Sequence, residues 1–510
     1  MLLQVSSVGM STPTKDLFQD VSFVINESER FGLVGQNGCG KSTLLRIILG
    51  EQQPDTGSIS RDRGLMVNYM PQIITASYAA KCLDNLANAY AHDELDHRYY
   101  SEVMTGLNLW DLLGLDNPVL SGGQRTKLAL ASALVFSANL LILDEPTNFI
   151  DLRSMIWLEE FLQRMDCSIL TVSHDRSYLD NVVEGILQLT PTGIRYYPGG
   201  YTDFIDAIEH EAERQQEIYQ AQQTFRERLE NDIKRTKQQA LQTEKATKDD
   251  HTRRLAKKVA KKAKSREKRL GQTMATSDWV DRPQERPLVR LRFHSRVTSG
   301  TLIRCEDIVF AYEPGKPILG GASIFIGAGE KVAILGDNGS GKSTLLKILT
   351  GNLELHGGKL WKNDKIEIAY FSQDREDIEG DMSVIEAARF GIAVPEQDVR
   401  NVLAGLLFKQ DQMGQKVRSL SQGEKTKLSI ARQILKQPDL LFMDEFTSHL
   451  DLESIEQVQK AIENYDGAVL FVTHDRYLLE TLSIDRLYLL EDGLTKLLHG
   501  GLQDYVNVIS

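Results

Sequence analysis

The stretch "LSGGQRTKLALASALVFSANLLILDEPTNFID" occupies residues 120–151 and decides the fold, because the chain carries it twice. The second copy, "LSQGEKTKLSIARQILKQPDLLFMDEFTSHLD", occupies residues 420–451, and 13 of the 32 positions are identical. In each copy a helical pattern is followed by a short apolar run that ends in Asp-Glu. Apolar runs of this length, rich in Leu and Ile, are typical of buried parallel strands. The stretch therefore predicts two related α/β domains.

Further landmarks repeat at nearly constant spacing. "GQNGCGKS" at 35–42 returns as "GDNGSGKS" at 336–343, and "TVSHDR" at 171–176 returns as "FVTHDR" at 471–476. A period of about 300 residues indicates a duplicated domain and not a solenoid. We therefore predict α/β domains at residues 1–204 and 288–510, with a different segment at 205–287.

Composition and termini restrict the class of protein. Of the 510 residues, 41% are hydrophobic and 25% are charged, which is ordinary for a globular protein. We find no run of about 18 apolar residues, so no membrane span is expected. The N-terminus lacks a signal-peptide pattern, and the four cysteines are too scattered for a disulfide framework, which favours the cytoplasm.

The segment 205–287 has its own pattern of charged and apolar residues. Two apolar seams at near-helical spacing predict two long helices that pack antiparallel, with a tip near 240–250. The first seam comprises Ile208, Ala212, Tyr219, Phe225, Leu229 and Ile233, and the second comprises Leu255, Val259, Ala263 and Leu270.

Residues 251–270 are strongly basic within an acidic chain. The whole chain carries a net charge of −12, yet this segment has ten Lys or Arg against one Glu. A solvated helix face normally mixes signs, so the charge favours contact with the phosphates of RNA. No aromatic residue is interleaved, which favours backbone contacts over base stacking. The candidate RNA-binding residues are Arg253, Arg254, Lys257, Lys258, Lys261, Lys262 and Lys264.

Both glycine-rich stretches fit the phosphate-loop pattern G-x-x-x-x-G-K-[ST]. Glycines let the loop wrap so that backbone N–H groups point at phosphate oxygens, and the lysine reaches the terminal phosphates. Two matches, each between an apolar strand and an amphipathic helix, favour a nucleotide site over chance. The candidate ATP-binding residues are Gly35, Asn37, Gly38, Gly40, Lys41, Ser42 and Thr43 in the first copy, and Gly336, Asn338, Gly339, Gly341, Lys342, Ser343 and Thr344 in the second.

The Asp-Glu pairs supply the remaining chemistry. The aspartates are expected to hold the Mg²⁺ environment, and the glutamates to polarise the attacking water. The histidine of each "HDR" follows an apolar strand and is a candidate sensor of the γ-phosphate. Acidic strand caps and structural histidines are the alternatives, but both features occur twice at matching offsets. The candidate catalytic residues are Glu145, Glu445, His174 and His474.

Together these motifs resemble the ATP-binding cassette ATPases, which the LSGGQ-type loop separates from other phosphate-loop enzymes. Two cassettes on one chain, joined by a charged helical pair, resemble the ABC-F family of ribosome-associated translation factors. The resemblance covers essentially the whole chain. It implies an α/β fold of two phosphate-loop cassettes with a long antiparallel α-helical linker, and hydrolysis of ATP with Mg²⁺.

The resemblance also implies that the cassettes close head to tail, so that each ATP lies between one phosphate loop and the other cassette's LSGGQ-type loop. The first site would take its loop from the second cassette: Ser421, Gln422, Gly423 and Glu424. The second site would take Ser121, Gly122, Gly123 and Gln124. The implied Mg²⁺ environment comprises Ser42, Gln72 and Asp144 in the first site, and Ser343, Gln373 and Asp444 in the second.

The two copies depart from each other at particular residues. Tyr312 stands where related cassettes stack an aromatic ring on adenine, and Ser11 is its counterpart at an offset of 301. The second loop reads LSQGE, and Phe149 and Phe446 also depart from the family pattern. We therefore expect the two sites to be unequal.

The predicted partner is the ribosome, with rRNA and tRNA contacted by the linker, and we expect a monomer that binds neither DNA nor membrane. The short spacing between Gln72 and Ser121 leaves no room for an extra arm, which favours a member that protects ribosomes from antibiotics over one that rescues stalled translation. The lack of a long N-terminal extension and of a C-terminal coiled coil favours a bacterial origin. One alternative is the ATPase subunit of a membrane transporter, although such subunits need no basic helical pair. A DNA-repair cassette protein would carry zinc cysteines or longer coiled coils.

Overall fold

A computed structural model describes residues 1–12, 15–91, 97–113, 120–246, 254, 257–259, 261–262, 264–268, 299–371, 381–447, 450–473 and 475–509. The chain divides into two compact units. One contains both cassettes, Met1–Thr202 with Pro287–Ser510, and the other is the linker, Asp203–Arg286.

The first cassette alternates strands and helices along the chain. Its strands are β1 (Leu3–Thr12), β2 (Lys15–Ile25), β3 (Arg30–Val34), β4 (Thr56–Arg61), β5 (Val67–Met70), β6 (Leu140–Asp144), β7 (Ser168–Val172), β8 (Gly185–Thr190) and β9 (Gly193–Pro198). Its helices are α1 (Lys41–Leu49), α2 (Ala76–Ala91), α3 (His97–Gly106), α4 (Gly122–Val135), α5 (Leu152–Arg164) and α6 (Arg176–Val182), with a 3₁₀ turn at Trp110–Leu112. The long helix α7 (Tyr201–Ala246) follows.

The second cassette repeats this order. Its strands are β10 (Thr301–Phe310), β11 (Leu319–Gly327), β12 (Lys331–Leu335), β13 (Gly357–Lys362), β14 (Ile368–Phe371), β15 (Leu440–Asp444), β16 (Ala468–Val472), β17 (Arg486–Glu491) and β18 (Leu494–Leu498). Its helices are α8 (Lys342–Thr350), α9 (Val384–Arg389), α10 (Glu396–Gly405), α11 (Gln422–Leu435), α12 (Leu452–Glu463), α13 (Arg476–Thr481) and α14 (Leu502–Ile509), with 3₁₀ turns at Gln412–Gly414 and Val417–Ser419.

Each cassette contains a three-stranded antiparallel sheet and a six-stranded, mostly parallel sheet. The large sheets have the orders β5-β6-β7-β3-β8-β9 and β14-β15-β16-β12-β17-β18, and only the last strand of each is antiparallel. Every residue of β6, β7, β15 and β16 is buried, as expected for central parallel strands covered on both faces. This confirms the predicted α/β fold of two cassettes with a helical insertion between them.

The sheet topology brings the chemistry-bearing loops to one edge. The phosphate loop follows β3, the Asp-Glu pair ends β6, and His174 follows β7, which lies between them in the sheet. Because the carboxyl ends of parallel strands share an edge, these loops meet there, and β12, β15 and β16 repeat the arrangement. Across the described segments, no helix combines the length and apolar character that a membrane crossing requires.

The linker helix α7 differs from the prediction in where it ends and in which of its apolar residues are buried. The helix α7 continues to Ala246, so the first part of the predicted tip is helical, and residues 247–250 lie outside the described residues. Ile233 is buried, whereas Phe225 is 51% exposed and lies off the seam. The reason is geometric, since the six-residue step from Tyr219 to Phe225 turns a helix of 3.6 residues per turn to another face.

Within the linker, Lys237 Nζ lies 2.6 Å from Glu267 Oε2. This ion pair joins α7 to the helical residues 264–268, beyond the predicted tip. The cationic side chains of Arg254, Lys257, Lys258, Lys261, Lys262 and Lys264 are exposed, and Arg253 lies outside the described residues.

Candidate active site

One large cavity, of about 1390 Å³, is lined by both cassettes. The second cassette contributes Asp337, Asn338, Gly339, Gly341, Lys342, Ser343, Thr344 and Glu445. The first cassette contributes Ser121, Gly122, Gly123, Gln124, Lys127, Phe149, Asp151 and Arg153, among others. The structure thus brings the second phosphate loop and the first LSGGQ-type loop to one cavity, which we call the second site.

The two cassettes touch directly at this cavity. Asn338 Nδ2 donates a hydrogen bond of 2.7 Å to the carbonyl oxygen of Phe149 in the other cassette. A Cβ atom on Gly123 would lie only 2.7 Å from that oxygen and 2.9 Å from Asn338 Nδ2, whereas one on Gly122 would meet nothing within 4 Å. Glycine at 123 therefore permits the close approach of the two cassettes.

The phosphate loops place their lysines similarly in the two cassettes. Gly40 and Gly341 precede α1 and α8 with φ of 103° and 101°, a left-handed conformation that favours glycine. Lys41 Nζ donates to the Gly35 carbonyl at 2.7 Å, and Lys342 Nζ donates to the Gly336 carbonyl at the same distance. Burial lowers the pKa of Lys342, and the nearby acidic groups oppose the shift.

The two candidate catalytic glutamates have a strained backbone. Glu145 and Glu445 adopt φ of 57° and 45°, in the left-handed region that non-glycine residues rarely occupy. Their backbone N–H groups donate to the carbonyls of Val172 and Val472, at 2.8 and 3.0 Å. Such strain costs about 1–3 kcal/mol per residue and typically occurs where a side chain must be aimed for function.

Glu145 and His174 form a buried pair in the first site. His174 Nε2 lies 3.3 Å from Glu145 Oε1, and the His174 backbone N–H donates to Oε2 at 3.3 Å. Burial raises the pKa of Glu145 to about 8, although nearby Lys41 opposes the shift. Burial, with Lys41 second, holds the pKa of His174 far below its usual value. Burial thus favours the uncharged form of both groups before nucleotide binds.

The aspartates fit a Mg²⁺ site. Within the described residues, neither carboxylate oxygen of Asp144 accepts a hydrogen bond, and Oδ1 of Asp444 also has no donor. Burial raises the pKa of each, opposed first by the neighbouring hydroxyl of Ser42 or Ser343. Buried acceptors without donors, beside a hydroxyl, are suited to a hard cation with oxygen ligands. Mg²⁺ bound there would neutralise phosphate charge during ATP hydrolysis.

Tyr312, the candidate for stacking on adenine, corresponds to a different residue of the first cassette from the one predicted. Tyr312 is 58% exposed, and its hydroxyl lies 3.4 Å from Thr344 Oγ1 at the second phosphate loop. The bulge residues Ser7 and Asp307 share φ near 50°, so β1 and β10 correspond at an offset of 300. The counterpart of Tyr312 is therefore Thr12 and not Ser11. The first cassette still lacks an aromatic residue at this position.

Both LSGGQ-type loops begin their helices with a capping box, but only the serine of the second loop also donates its hydroxyl to the capping side chain. The Ser121 backbone N–H donates to Gln124 Oε1 at 2.9 Å, at the start of α4. At the start of α11, both the backbone N–H and the hydroxyl of Ser421 donate to Glu424 Oε2, at 2.8 and 2.7 Å. The Ser421 hydroxyl is thus committed to a carboxylate of its own loop.

A further inter-cassette contact involves the arginine of each "HDR" motif. Arg476 and Glu159 form a buried two-point ion pair, with Nη1 2.9 Å from Oε2. At the matching position Arg176 meets a neutral partner, with Nη1 3.4 Å from Gln459 Oε1. The repeated Asp-Arg is visible in the sequence, but no role was predicted for its arginine. The partners, Glu159 for Arg476 and Gln459 for Arg176, belong to no recognised motif.

The remaining candidates differ in how well they are placed. Gln72 is exposed in a bend after β5. Gln373 and His474 lie outside the described residues. Asp451 of the second cassette influences the pKa of His174, which places the start of α12 at the first site. Lys127 and Arg153, which line the second site, were missed because neither belongs to a recognised motif.

The sequence profile of a family described as "ABC transporter" matches residues 18–148 and 319–448, and a second profile of the same description matches 187–291. The chain belongs to the ATP-binding cassette family. The tandem cassettes and the matched linker make it a member of the ABC-F type, and ABC-F cassettes hydrolyse ATP with Mg²⁺.

The similarity to known proteins extends over nearly the whole of this ABC-F chain. "Probable ATP-binding protein YheS" of Escherichia coli (strain K12) is 31% identical, over 100% of this chain and 82% of the relative. "ATP-binding protein Uup" of Buchnera aphidicola subsp. Schizaphis graminum is 29% identical, over 97% and 81%. An archaeal ribosome recycling factor, aABCE1, solved with the ribosomal stalk protein aP1, shares the fold with a TM-score of 0.67 at 20% identity, over 99% of this chain and 92% of that one.

Proposed function

We propose that this ABC-F protein is a cytoplasmic, monomeric ATPase that binds the ribosome when ATP closes its cassettes, and leaves after hydrolysis. Its linker would contact rRNA and tRNA near the peptidyl-transferase region, in ribosome protection against antibiotics or in rescue of stalled translation.

The observation that carries this proposal is the exposed basic surface of the linker. Six described cationic side chains between 254 and 264 face solvent, in a chain whose net charge is −12. An acidic protein with one basic segment is suited to local contact with a polyanion. Structural relatives support the same partner, since one is described as an archaeal ribosome recycling factor and another as part of a ribosome-bound assembly.

Co-sedimentation of the Glu145→Gln, Glu445→Gln double variant with ribosomes tests the proposal. Removing both carboxylates should prevent hydrolysis and trap the closed state, so ATP should increase the ribosome-bound fraction well above that with ADP. The Lys41→Ala, Lys342→Ala variant is the matched control, because it should not bind the phosphates needed for closure. Absence of ATP-dependent binding would contradict the proposal and favour a search for a membrane partner, as for a transporter subunit.

A further inference from the structure

The residues that each cassette contributes to the opposite ATP site differ in charge. Lys127 and Asp151 beside the second site have the equivalents Lys427 and Asp451 beside the first. Four other lining positions differ in charge: Gln124 becomes Glu424, Arg153 becomes Glu453, Ile156 becomes Glu456, and Glu160 becomes Lys460. The first three changes make the surroundings of the first site more negative and the fourth makes them more positive, so together they make the first site more negative by two unit charges.

Arg153 is placed to act on the second site. It lines the cavity that Lys342 and Asp337 also line, although it belongs to the first cassette. Asp337 stands where the first phosphate loop has the neutral Gln36, which adds one negative charge to the second site. The charge on Arg153 offsets that on Asp337. With Asp337 included, the second site remains less negative than the first by one unit charge.

Glu424 and Glu453 belong to the second cassette, which supplies the LSGGQ-type loop of the first site. Asp451 caps α12 through the Ser454 backbone N–H, just as Asp151 caps α5 through that of Ser154, so Glu453 and Arg153 occupy equivalent positions. Glu424 accepts the Ser421 hydroxyl at 2.7 Å and a hydrogen bond of 2.6 Å from Gln412 Nε2. These contacts keep its carboxylate at the loop that would approach the terminal phosphate.

We propose that the second site binds Mg²⁺–ATP more tightly than the first, that Arg153 favours binding at the second site, and that Glu424 and Glu453 weaken binding at the first. The substrate is an anion, so every negative group within about 10 Å raises the free energy of its binding. The commitment of the Ser421 hydroxyl to Glu424 also removes a donor that Ser121 retains for phosphate in the second site.

Equilibrium binding of radiolabelled ATP to single-site variants tests this inference. In the Glu145→Gln, Glu445→Gln background, Lys41→Ala leaves only the second site, and Lys342→Ala leaves only the first. We expect the second site to bind at least about fivefold more tightly. Arg153→Glu should weaken the second site by about fivefold or more, whereas Arg153→Lys should retain its affinity.

The reciprocal variants separate charge effects from misfolding. Glu453→Arg and Glu424→Gln should each tighten the first site by about threefold, and an affinity gain does not arise from unfolding. These differences should shrink as the ionic strength rises to about 0.3 M. Equal affinities of the two sites, or no effect of Arg153→Glu together with no gain in Glu453→Arg, would overturn the inference. The titration needs no ribosomes, so its failure would leave the proposed function untouched.

Discussion

At the scale of single residues, Gly123 lies at a close contact between the cassettes. We expect Gly123→Ala to lower the rate of ATP hydrolysis by about tenfold or more, because its Cβ would force apart Phe149 and Asn338, which must approach to close the site. Gly122→Ala, where the Cβ meets open space, should cause a smaller loss. Steady-state hydrolysis measures both, with thermal melting to exclude unfolding. Equal effects of the two variants would contradict the steric explanation.

The buried glutamate predicts the pH dependence of hydrolysis. The pKa of Glu145 is raised to about 8, and only its carboxylate can polarise water. In the Glu445→Gln background, kcat/KM should therefore rise with pH and level off above about 8. The Glu145→Gln, Glu445→Gln double variant, which should not hydrolyse ATP, gives the background rate to be subtracted at each pH. A profile that is flat between pH 6 and 9 would show that Glu145 is already ionised in the free enzyme.

The raised pKa of Glu145 also predicts how the free energy of unfolding changes with pH. A carboxyl group whose pKa is raised on folding stabilises the fold at low pH, and this contribution is lost as pH rises. For Glu145 the loss occurs between its ordinary pKa of 4.5 and about 8. Glu145→Gln should therefore stabilise the nucleotide-free protein more at pH 8.5 than at pH 5.

The phosphate-loop and Asp-Glu patterns allowed candidate site residues to be proposed from the sequence, because these patterns have few structural alternatives. The left-handed φ of Glu145 was not predictable from the sequence, because it depends on the loop being held between β6 and β7. Arg153 was also not predictable, because its role depends on a cavity that forms only when two distant segments meet.

At the scale of elements, the helices α5 and α12 make unequal contacts with the opposite cassette. Glu159→Ala should lower the free energy of unfolding by about 3–5 kcal/mol, because it leaves the buried Arg476 without its ionic partner. Gln459→Ala, at the equivalent position, should cost only about 1 kcal/mol. Urea denaturation monitored by circular dichroism measures both. Similar losses would mean that the ion pair adds nothing over its neutral counterpart.

Strands were easier to predict than the linker. The runs "LLILD" and "LLFMD" are apolar up to their final aspartate, and both became fully buried strands. The linker seam was assigned from sparse apolar residues in a highly charged segment, so Phe225 was placed on it wrongly. In such a helix several half-buried positions are polar, among them Gln222, Arg226 and Lys237, so hydrophobic spacing alone does not identify the packed face.

At the scale of the whole molecule, the basic linker predicts a salt-dependent interaction. Replacing Lys257, Lys258, Lys261 and Lys262 by Gln should weaken ribosome binding and reduce its salt dependence, by about one unit of slope for each phosphate that is no longer neutralised. The control replaces four exposed lysines of the cassettes by Gln: Lys81, Lys359, Lys365 and Lys409. Titrations at several ionic strengths measure the slope. Equal slopes for the two variants would show that the linker charge has no specific role.

The duplication of the cassette was predictable from the sequence because landmarks repeat at offsets of 300 and 301. The pairing of cassettes was not, since no spacing reveals which loop faces which. That expectation came from the family resemblance, and the cavity shared by Lys342 and Gly123 has the arrangement it implies.

The matching backbone of the two halves also records their history. Ser7 and Asp307, and likewise Glu145 and Glu445, adopt the same left-handed conformation although the surrounding residues have diverged. Such unfavourable geometry does not arise twice by accident, so the ancestral single cassette already possessed it before the gene doubled. Around this shared main chain, equivalent side chains such as Arg153 and Glu453 differ in charge, so the common geometry of the two halves is older than the differences between their side chains.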